Sequence, residues 1–315
     1  MRLAALRCDF MFGIQHIGGV LPALATPLLP DGQLDVAGMR RLVRFVLDAG
    51  VHGLVPLGST GEGALLEERA RRTAVEVVAA EAAGRVPLVM GIEQPTPDCA
   101  RVELRAAASA GASAVLLAPP AYIPLDQPAL LRFYRDMAAA TSLPILVYNI
   151  PQFTKVSMHP STMAALVEEG AVAGIKDSSG DFNYHSRLLA AMRNQAGVRV
   201  FTGAETMLLA SLLMGSVGTI CGCANVVPAL CVQLFNAYHG ADLETARSSQ
   251  FTLLELANAL LTGTLPAGFK AALRLMGLCG ATLAAPVAAL TAEQEQAVER
   301  ALTRAGVRTG VAAAR

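Results

Sequence analysis

Lysine is nearly absent from this chain. Among its 315 residues only Lys155, Lys176 and Lys270 are lysines, and nearly every other basic residue is arginine. Long apolar runs are missing as well. Hydrophobic residues make up 53% of the sequence, yet no uninterrupted stretch reaches the ~18 residues that a membrane span needs. The formal net charge is zero and no run of basic residues occurs, which argues against nucleic acid as a partner. The six cysteines, Cys8, Cys99, Cys221, Cys223, Cys231 and Cys279, lie in apolar contexts. Cys221-x-Cys223 is their only close pair, and no second Cys or His pair stands at zinc-like spacing. Small buried thiols in a cytoplasmic protein are the expectation, with no metal site. Residues 1–17 contain Asp9 and no small-residue cleavage site, so they are expected to be a loose N-terminal extension rather than a signal peptide. A start assigned too early, with Met11 as the alternative, is the other reading of that segment.

What is present is a regular alternation. Continuous apolar runs predict strands at Val20–Thr26, Gly53–Leu57, Val86–Ile92, Ala114–Ala118, Pro144–Ile150, Val172–Lys176, Val198–Thr202 and Gly218–Cys221. Amphipathic helices follow each: one capped by Asp35 and ending at Gly50, then Glu67–Ala82, Pro97–Ala110, Pro128–Ala140, Pro160–Glu168, Tyr184–Arg193, Thr206–Met214 and Pro228–Tyr238. Eight such units predict an α/β fold, a parallel (β/α)8 barrel over residues 18–240. A doubly wound sheet is the rival, but no Gly-x-Gly-x-x-Gly fingerprint follows the first strand. Residues 241–315 add helices near Asp242–Leu261, Phe269–Met276 and Glu293–Ala305 without strands, a C-terminal helical appendage.

A barrel of this kind places its chemistry at the C-terminal ends of the strands. Lys176 ends the sixth. An ammonium group is expensive to bury, and a lysine in apolar surroundings gives up its proton near neutral pH and becomes a nucleophile toward ketones. A chain that otherwise prefers arginine has kept a lysine here, which suggests a need for an amine that can deprotonate. A lysine that merely snorkels from a strand end is the bland reading. Other strand ends supply Ser59 and Thr60, Tyr122, Tyr148 and Asn149, with Gly203 after strand seven and Ile220 near the end of strand eight. A tyrosine hydroxyl supported by other hydroxyls can shuttle protons. The turn Gly58–Gly63 can offer backbone N–H groups to a carboxylate, although such a turn is usually only a turn.

The segments Gly58-Ser-Thr-Gly-Glu62, Pro119-Pro-Ala-Tyr122, Tyr148-Asn-Ile-Pro151, Gly174-Ile-Lys-Asp-Ser-Ser-Gly-Asp181 and Gly218-Thr-Ile-Cys-Gly-Cys-Ala-Asn225 together resemble those of one family. It is the N-acetylneuraminate lyase and dihydrodipicolinate synthase superfamily of class I aldolases, and the resemblance covers about residues 18–305. It implies that Lys176 forms a Schiff base with pyruvate or another 2-oxo acid. It implies Tyr148 as general acid/base, with Ser59 and Tyr122 completing a proton relay, Tyr122 usually from a neighbouring subunit. Ser59 and Thr60 would hold the 2-oxo acid carboxylate, with Gly203, Ile220 and Phe153 also lining the substrate site. No cofactor beyond the covalent imine is implied. The partners are a 2-oxo acid and an aldehyde, in a homo-oligomer that is a dimer or a dimer of dimers.

The departures concern the substrate. Dihydrodipicolinate synthases carry an arginine two residues after the Tyr-Asn-x-Pro motif, where this chain has Phe153. An apolar ring cannot pair with a carboxylate. Ala121 replaces the first of a usual tyrosine pair, and Gly91-Ile-Glu-Gln-Pro95 lacks the usual Gly/Asn-rich composition. The expected reaction is therefore reversible cleavage of a sugar-acid-type 4-hydroxy-2-oxo acid to pyruvate and an aldehyde. Dihydrodipicolinate synthase, a 2-oxo-acid dehydratase and a non-catalytic 2-oxo-acid-binding barrel are the alternatives.

Overall fold

The strands are short and have no solvent-facing side. In the computed structural model, which describes residues 12–310, they are β1 (Gly19–Pro22), β2 (Val89–Ile92), β3 (Ala114–Leu117), β4 (Ile145–Asn149), β5 (Gly174–Asp177), β6 (Arg199–Thr202) and β7 (Gly218–Cys221). All but Arg199 at the start of β6 are buried. This is what continuous apolar runs, rather than alternating ones, encode: a parallel sheet covered on both faces. The strands pair in parallel in the order β1-β7-β6-β5-β4-β3-β2.

The remaining gap lies between β1 and β2, where the expected strand Gly53–Leu57 is reduced to two isolated parallel bridges, Ala23–Val55 and Leu54–Leu88. Val55 N–H donates to Pro22 O at 2.9 Å and Leu54 N–H to Pro87 O at 3.0 Å, so the segment still closes an eight-fold (β/α)8 barrel. Its shortness has a cause. Pro56 has no N–H to give the ladder, and Leu57 turns out of it with φ of 64°. The physical benefit is that the chain is released one step early and turns over the barrel mouth.

Side chains alternate between two cores. Leu21, Val55, Val89, Leu116, Leu146, Phe201 and Ile220 fill the barrel interior. Val20, Leu54, Met90, Val115, Val147, Ile175 and Val200 pack outward under the helices. Ile17 is also fully buried in the interior cluster, at the entry to β1. Residues 1–11 of the expected N-terminal extension, with Cys8 and Met11, lie outside the described residues.

The outer helices start where the capping residues stand. Asp35, Thr96, Asp126 and Asp181 each accept a hydrogen bond from a backbone N–H of the helices Val36–Asp48, Pro97–Ser109, Gln127–Ala138 and Phe182–Met192. Pro160–Glu168 has the expected bounds. Two features differ from expectation. The helix expected over Thr206–Met214 is a 3₁₀ turn, Glu205–Met207, followed by a helix Leu208–Leu213, because Met207 departs from helical geometry with φ of −123°. A short unexpected helix, Pro151–Thr154, begins at the proline that ends β4.

The C-terminal helices are Leu243–Leu260, Ala267–Leu275 and Ala292–Arg304, the last with a Thr291/Gln294 capping box. Leu243–Leu260 packs on Pro228–His239 and on the Glu205–Met207 turn. Ala267–Leu275 is buried along most of its length. No helix among the described residues is long and apolar enough to cross a membrane.

Candidate active site

β4 and β5 lie side by side with Tyr148 opposite Lys176, and Lys176 is opposite Phe201 of β6. Paired positions point to the same face, so the tyrosine and the lysine enter the barrel interior at one level. Lys176 is only 4% exposed. Its Nζ donates to Tyr148 Oη at 3.2 Å and stands 4.3 Å from the centroid of that ring. The next residue on each strand faces the other way. Asn149 Nδ2 donates to Asp177 Oδ1 at 2.9 Å, and Asp177 Oδ2 lies 3.0 Å from His185 Nδ1. His185 Nε2 is in turn 2.8 Å from Ser216 Oγ. This buried network has all its members paired. It fixes the ends of β4 and β5 from behind, and Asn149, a candidate by position, belongs to it rather than to the site.

The early turn after Leu57 brings in the hydroxyls. Ser59–Gly61 forms one 3₁₀ turn, tied to the segment after β1 by Thr26 Oγ1 donating to Gly61 O at 2.6 Å. Ser59 Oγ lies 3.3 Å from Tyr148 Oη and donates to Glu93 Oε1 at 2.6 Å. Thr60 is buried in the same turn. The main-chain N–H groups of Ser59 and Thr60 have no hydrogen-bond acceptor among the described residues. Such orphan donors at a helical first turn suit a carboxylate.

Glu93 was not singled out in the sequence, although it follows the last residue of β2 directly. That position at a strand's C-terminal end was the signal available. Burial pushes its carboxyl above the ordinary carboxylate value, while the Ser59 hydrogen bond and the Lys176 charge pull it back. Glu93 is half-buried and lines the cleft beside it.

Gly203, after β6, lies against the lysine. A Cβ there would stand 2.8 Å from Lys176 Cε and closer still to Ser178 Oγ. Ile220 is fully buried in the interior packing with Leu21 and Phe201. Phe153 sits on the Pro151–Thr154 helix, 47% exposed. Tyr122 is 93% exposed and holds φ of 80°, a left-handed backbone rare outside glycine. No hydrogen bond joins it to Ser59 or Tyr148 among the described residues. Ser59, Glu93, Tyr122, Phe153, Leu65 and Val287 line one cleft of about 510 Å³. The structure thus gathers Lys176, Tyr148, Ser59 and Gly203 into contact, with Thr60 in the same turn. It leaves Phe153 and Tyr122 on the cleft wall and mouth, and Ile220 in the packing beneath.

A second buried lysine was also missed. Lys270 pairs with Glu62, both side chains almost fully enclosed. Glu62 Oε1 accepts from Ala284 N–H at 2.7 Å and Lys270 Nζ donates to Thr282 O at 2.7 Å. Burial lowers the Lys270 pKa, and the Glu62 charge opposes that shift. Glu62 has φ of 56° at the end of the Ser59 turn, so this ion pair pins the turn to a C-terminal helix. Of the thiols, Cys221, Cys223, Cys231 and Cys279 are buried and Cys99 is exposed, which corrects the expectation for that residue. Its place near the start of an outer helix explains the difference. Among the described residues no group of three or more His, Cys, Asp or Glu side chains is placed to hold a metal ion.

Known proteins resemble this chain along most of its length. A sequence model of the dihydrodipicolinate synthetase family matches residues 16–305. A DapA-like lyase of Halobacterium salinarum is 37% identical over 92% of this chain and 94% of its own length. The 4-hydroxy-tetrahydrodipicolinate synthase of Hyphomonas neptunium is 35% identical over 92% of this chain and 99% of its own. A prophage protein of the dihydrodipicolinic acid synthase family from E. coli K12, solved in complex with pyruvate, superposes with a TM-score of 0.89. It is 25% identical, over 93% of this chain and 99% of that one. This (β/α)8 chain, with its polar group at the strand ends of a closed barrel, belongs to the dihydrodipicolinate synthetase family and is an enzyme, a lyase.

Proposed function

We propose that the chain is a Schiff-base lyase that reversibly cleaves a 4-hydroxy-2-oxo acid to pyruvate and an aldehyde, with Lys176 as the nucleophile. The observation that carries this reading is the chain of contacts from Lys176 Nζ through Tyr148 Oη to Ser59 Oγ at the C-terminal mouth of the barrel. The free amine of Lys176 attacks the ketone of the 2-oxo acid. Tyr148 delivers the proton that lets water leave, and the protonated imine withdraws electrons from C3. Tyr148 then takes the proton of the C4 hydroxyl as the C3–C4 bond breaks, releasing the aldehyde and an enamine. Protonation and hydrolysis return pyruvate and the amine. The Ser59 and Thr60 N–H groups hold the 2-oxo acid carboxylate, and Gly203 leaves room for the lysine arm. The imine is the electron sink, and the reading uses no metal or separate cofactor.

The relatives' names point to a second substrate reading, aspartate semialdehyde as the partner of pyruvate. Phe153 weighs against it. Its half-exposed ring stands on the cleft wall, and an apolar ring gives a second carboxylate no partner. Tyr122 would serve as a further relay hydroxyl in the site of a neighbouring copy, in a homodimer or a pair of dimers. The unpaired thiols suit a cytoplasmic enzyme.

The test is reductive trapping. Incubation with pyruvate and borohydride adds one reduced pyruvate per chain at Lys176, and Lys176→Arg takes up none, because a guanidinium keeps its proton. Labelling at Lys155 or Lys270 instead would remove the assignment. A panel of aldehydes then names the partner. Condensation with aspartate semialdehyde above about 10⁴ M⁻¹s⁻¹, ordinary enzyme efficiency, would return the chain to the synthase reading.

A further inference from the structure

We propose that Glu93 is the terminal proton carrier of this site, receiving through Ser59 and Tyr148 the proton that leaves C3 of the lysine-bound 2-oxo acid. The inference rests on the Schiff-base reading above.

It follows from the direction of the hydrogen bonds. A hydroxyl has one proton to give. That of Ser59 is committed to Glu93 Oε1 at 2.6 Å. In the 3.3 Å contact between Ser59 and Tyr148, the phenol must therefore be the donor. Lys176 Nζ in turn donates to Tyr148 Oη at 3.2 Å. Three donations run one way, from amine to phenol to hydroxyl, and end on a carboxylate. An ionised carboxylate is the one member that can only accept. All three contacts lie within a single copy of the protein.

The other ionisable groups facing this corner do not compete for the role. Lys176 and Tyr148 are upstream in the chain. Glu62, on the same cleft, is committed to Lys270 and to the Ala284 N–H. Tyr122 stands at the mouth with no bond to Ser59 or Tyr148. Burial raises the Glu93 pKa above the ordinary carboxylate value, with Ser59 and Lys176 opposing it.

The step balances. The iminium of pyruvate on Lys176 gives a C3 proton to Tyr148 Oη, and the C–H electron pair becomes the enamine double bond. As it accepts, Tyr148 passes its own proton to Ser59 Oγ, and Ser59 passes its own to Glu93. The cationic iminium and the carboxylate become a neutral enamine and a neutral carboxylic acid. Reversal protonates the enamine after an aldehyde has left.

The experiment needs no knowledge of the aldehyde. Exchange of pyruvate methyl protons in D₂O, followed by NMR, reports C3 proton transfer alone, and borohydride trapping reports the imine alone. Glu93→Gln keeps an acceptor for Ser59 but cannot take a proton. It is expected to trap pyruvate like the parent and to exchange at least about 10²-fold more slowly, the size of general acid–base help. Its remaining rate should also lose the fall at low pH that protonation of Glu93 gives the parent, and Glu93→Asp should recover part of both. Full exchange in Glu93→Gln with trapping intact would overturn the proposal, because a purely structural role needs only the acceptor. Loss of trapping in Glu93→Gln would move Glu93 to folding or imine formation and overturn its C3 role. No trapping in the parent would bring down the Schiff-base reading, and this inference with it.

Discussion

At Gly203 the space for one methyl group is already occupied, first by the Ser178 side chain and then by the lysine. A Cβ would lie 2.8 Å from Lys176 Cε, in contact with the arm that must swing toward the ketone. Gly203→Ala is expected to cost about 1–3 kcal/mol, as overpacking does. It should also slow borohydride trapping at Lys176 by ten-fold or more, read by mass spectrometry beside a urea titration. Trapping at the parent rate would show that the arm does not use that space. The thiols make a pH prediction at the same scale. A thiol's ordinary pKa is 9.0, whereas burial holds Cys223 well above it, a hydrogen bond with Cys221 together with burial does the same for Cys231, and burial pushes Cys279 up to about 12. Between those values the folded chain binds more protons than the unfolded chain. Stability from these thiols is therefore full below pH 9 and falls as pH rises through the window, by up to about 1.4 kcal/mol per pH unit for each thiol. Lys270, lowered by burial, works in the opposite sense and interacts with Cys279, so the comparison leaves Cys279 in place. The double variant Cys223→Ala, Cys231→Ala should show a flatter decline of the urea midpoint between about pH 8.5 and 10.5. Equal slopes would contradict the shifts.

Among elements, the decisive contact joins the Ser59–Gly61 turn to the helix Ala267–Leu275. Their link is one buried ion pair, Glu62 with Lys270, supported by Ala284 N–H and Thr282 O. Removing one partner leaves the other charge enclosed, which typically costs about 3–5 kcal/mol. Lys270→Met is expected to lose that much stability and, because Glu62 ends the turn carrying Ser59, to slow pyruvate trapping as well. Lys270→Met with Glu62→Leu should regain most of the stability, since no charge is left stranded. The double variant separates the two roles. Stability restored without trapping restored would show that the pair places the turn as well as holding the fold. A single variant as stable as the parent would mean that water reaches Glu62.

For the molecule as a whole, the telling feature is what remains outside. Tyr122 is 93% and Ile123 68% exposed, consecutive apolar residues beside a mouth that holds a polar site. Two prolines precede them, and Tyr122 is held in a left-handed backbone, so the loop is directed rather than slack. The proposed oligomer covers this loop. Light scattering at micromolar concentration should give a dimer or larger. Ile123→Asp should shift the population toward monomer and slow turnover ten-fold or more while leaving trapping at Lys176 in place. A parent protein that is monomeric and fully active would remove the neighbour from the mechanism.

Much of this was legible in the sequence, and for a local reason. Burial on both faces of a parallel strand writes itself as a continuous apolar run, and capping residues mark where helices begin. That is why β7 and the helix Pro160–Glu168 have their expected bounds, and why Lys176 and Tyr148 could be recognised as strand-end groups. Phe153 was legible only through the family resemblance, as the residue two after Pro151 where an arginine is usual. The sequence by itself thus determined the eight segments, their order and the lysine that interrupts an apolar pattern. Tertiary structure alone decided how the barrel closes, because a segment broken by Pro56 and Leu57 keeps its place only through bonds from β1 and from the entry to β2. It alone joined Glu93 to Ser59, Glu62 to Lys270 and Asp177 to His185 and, through it, Ser216. A carboxylate reads as polar wherever it stands in a sequence. Whether it ends in solvent, on a hydroxyl or against a buried ammonium depends on which distant segment the fold lays beside it.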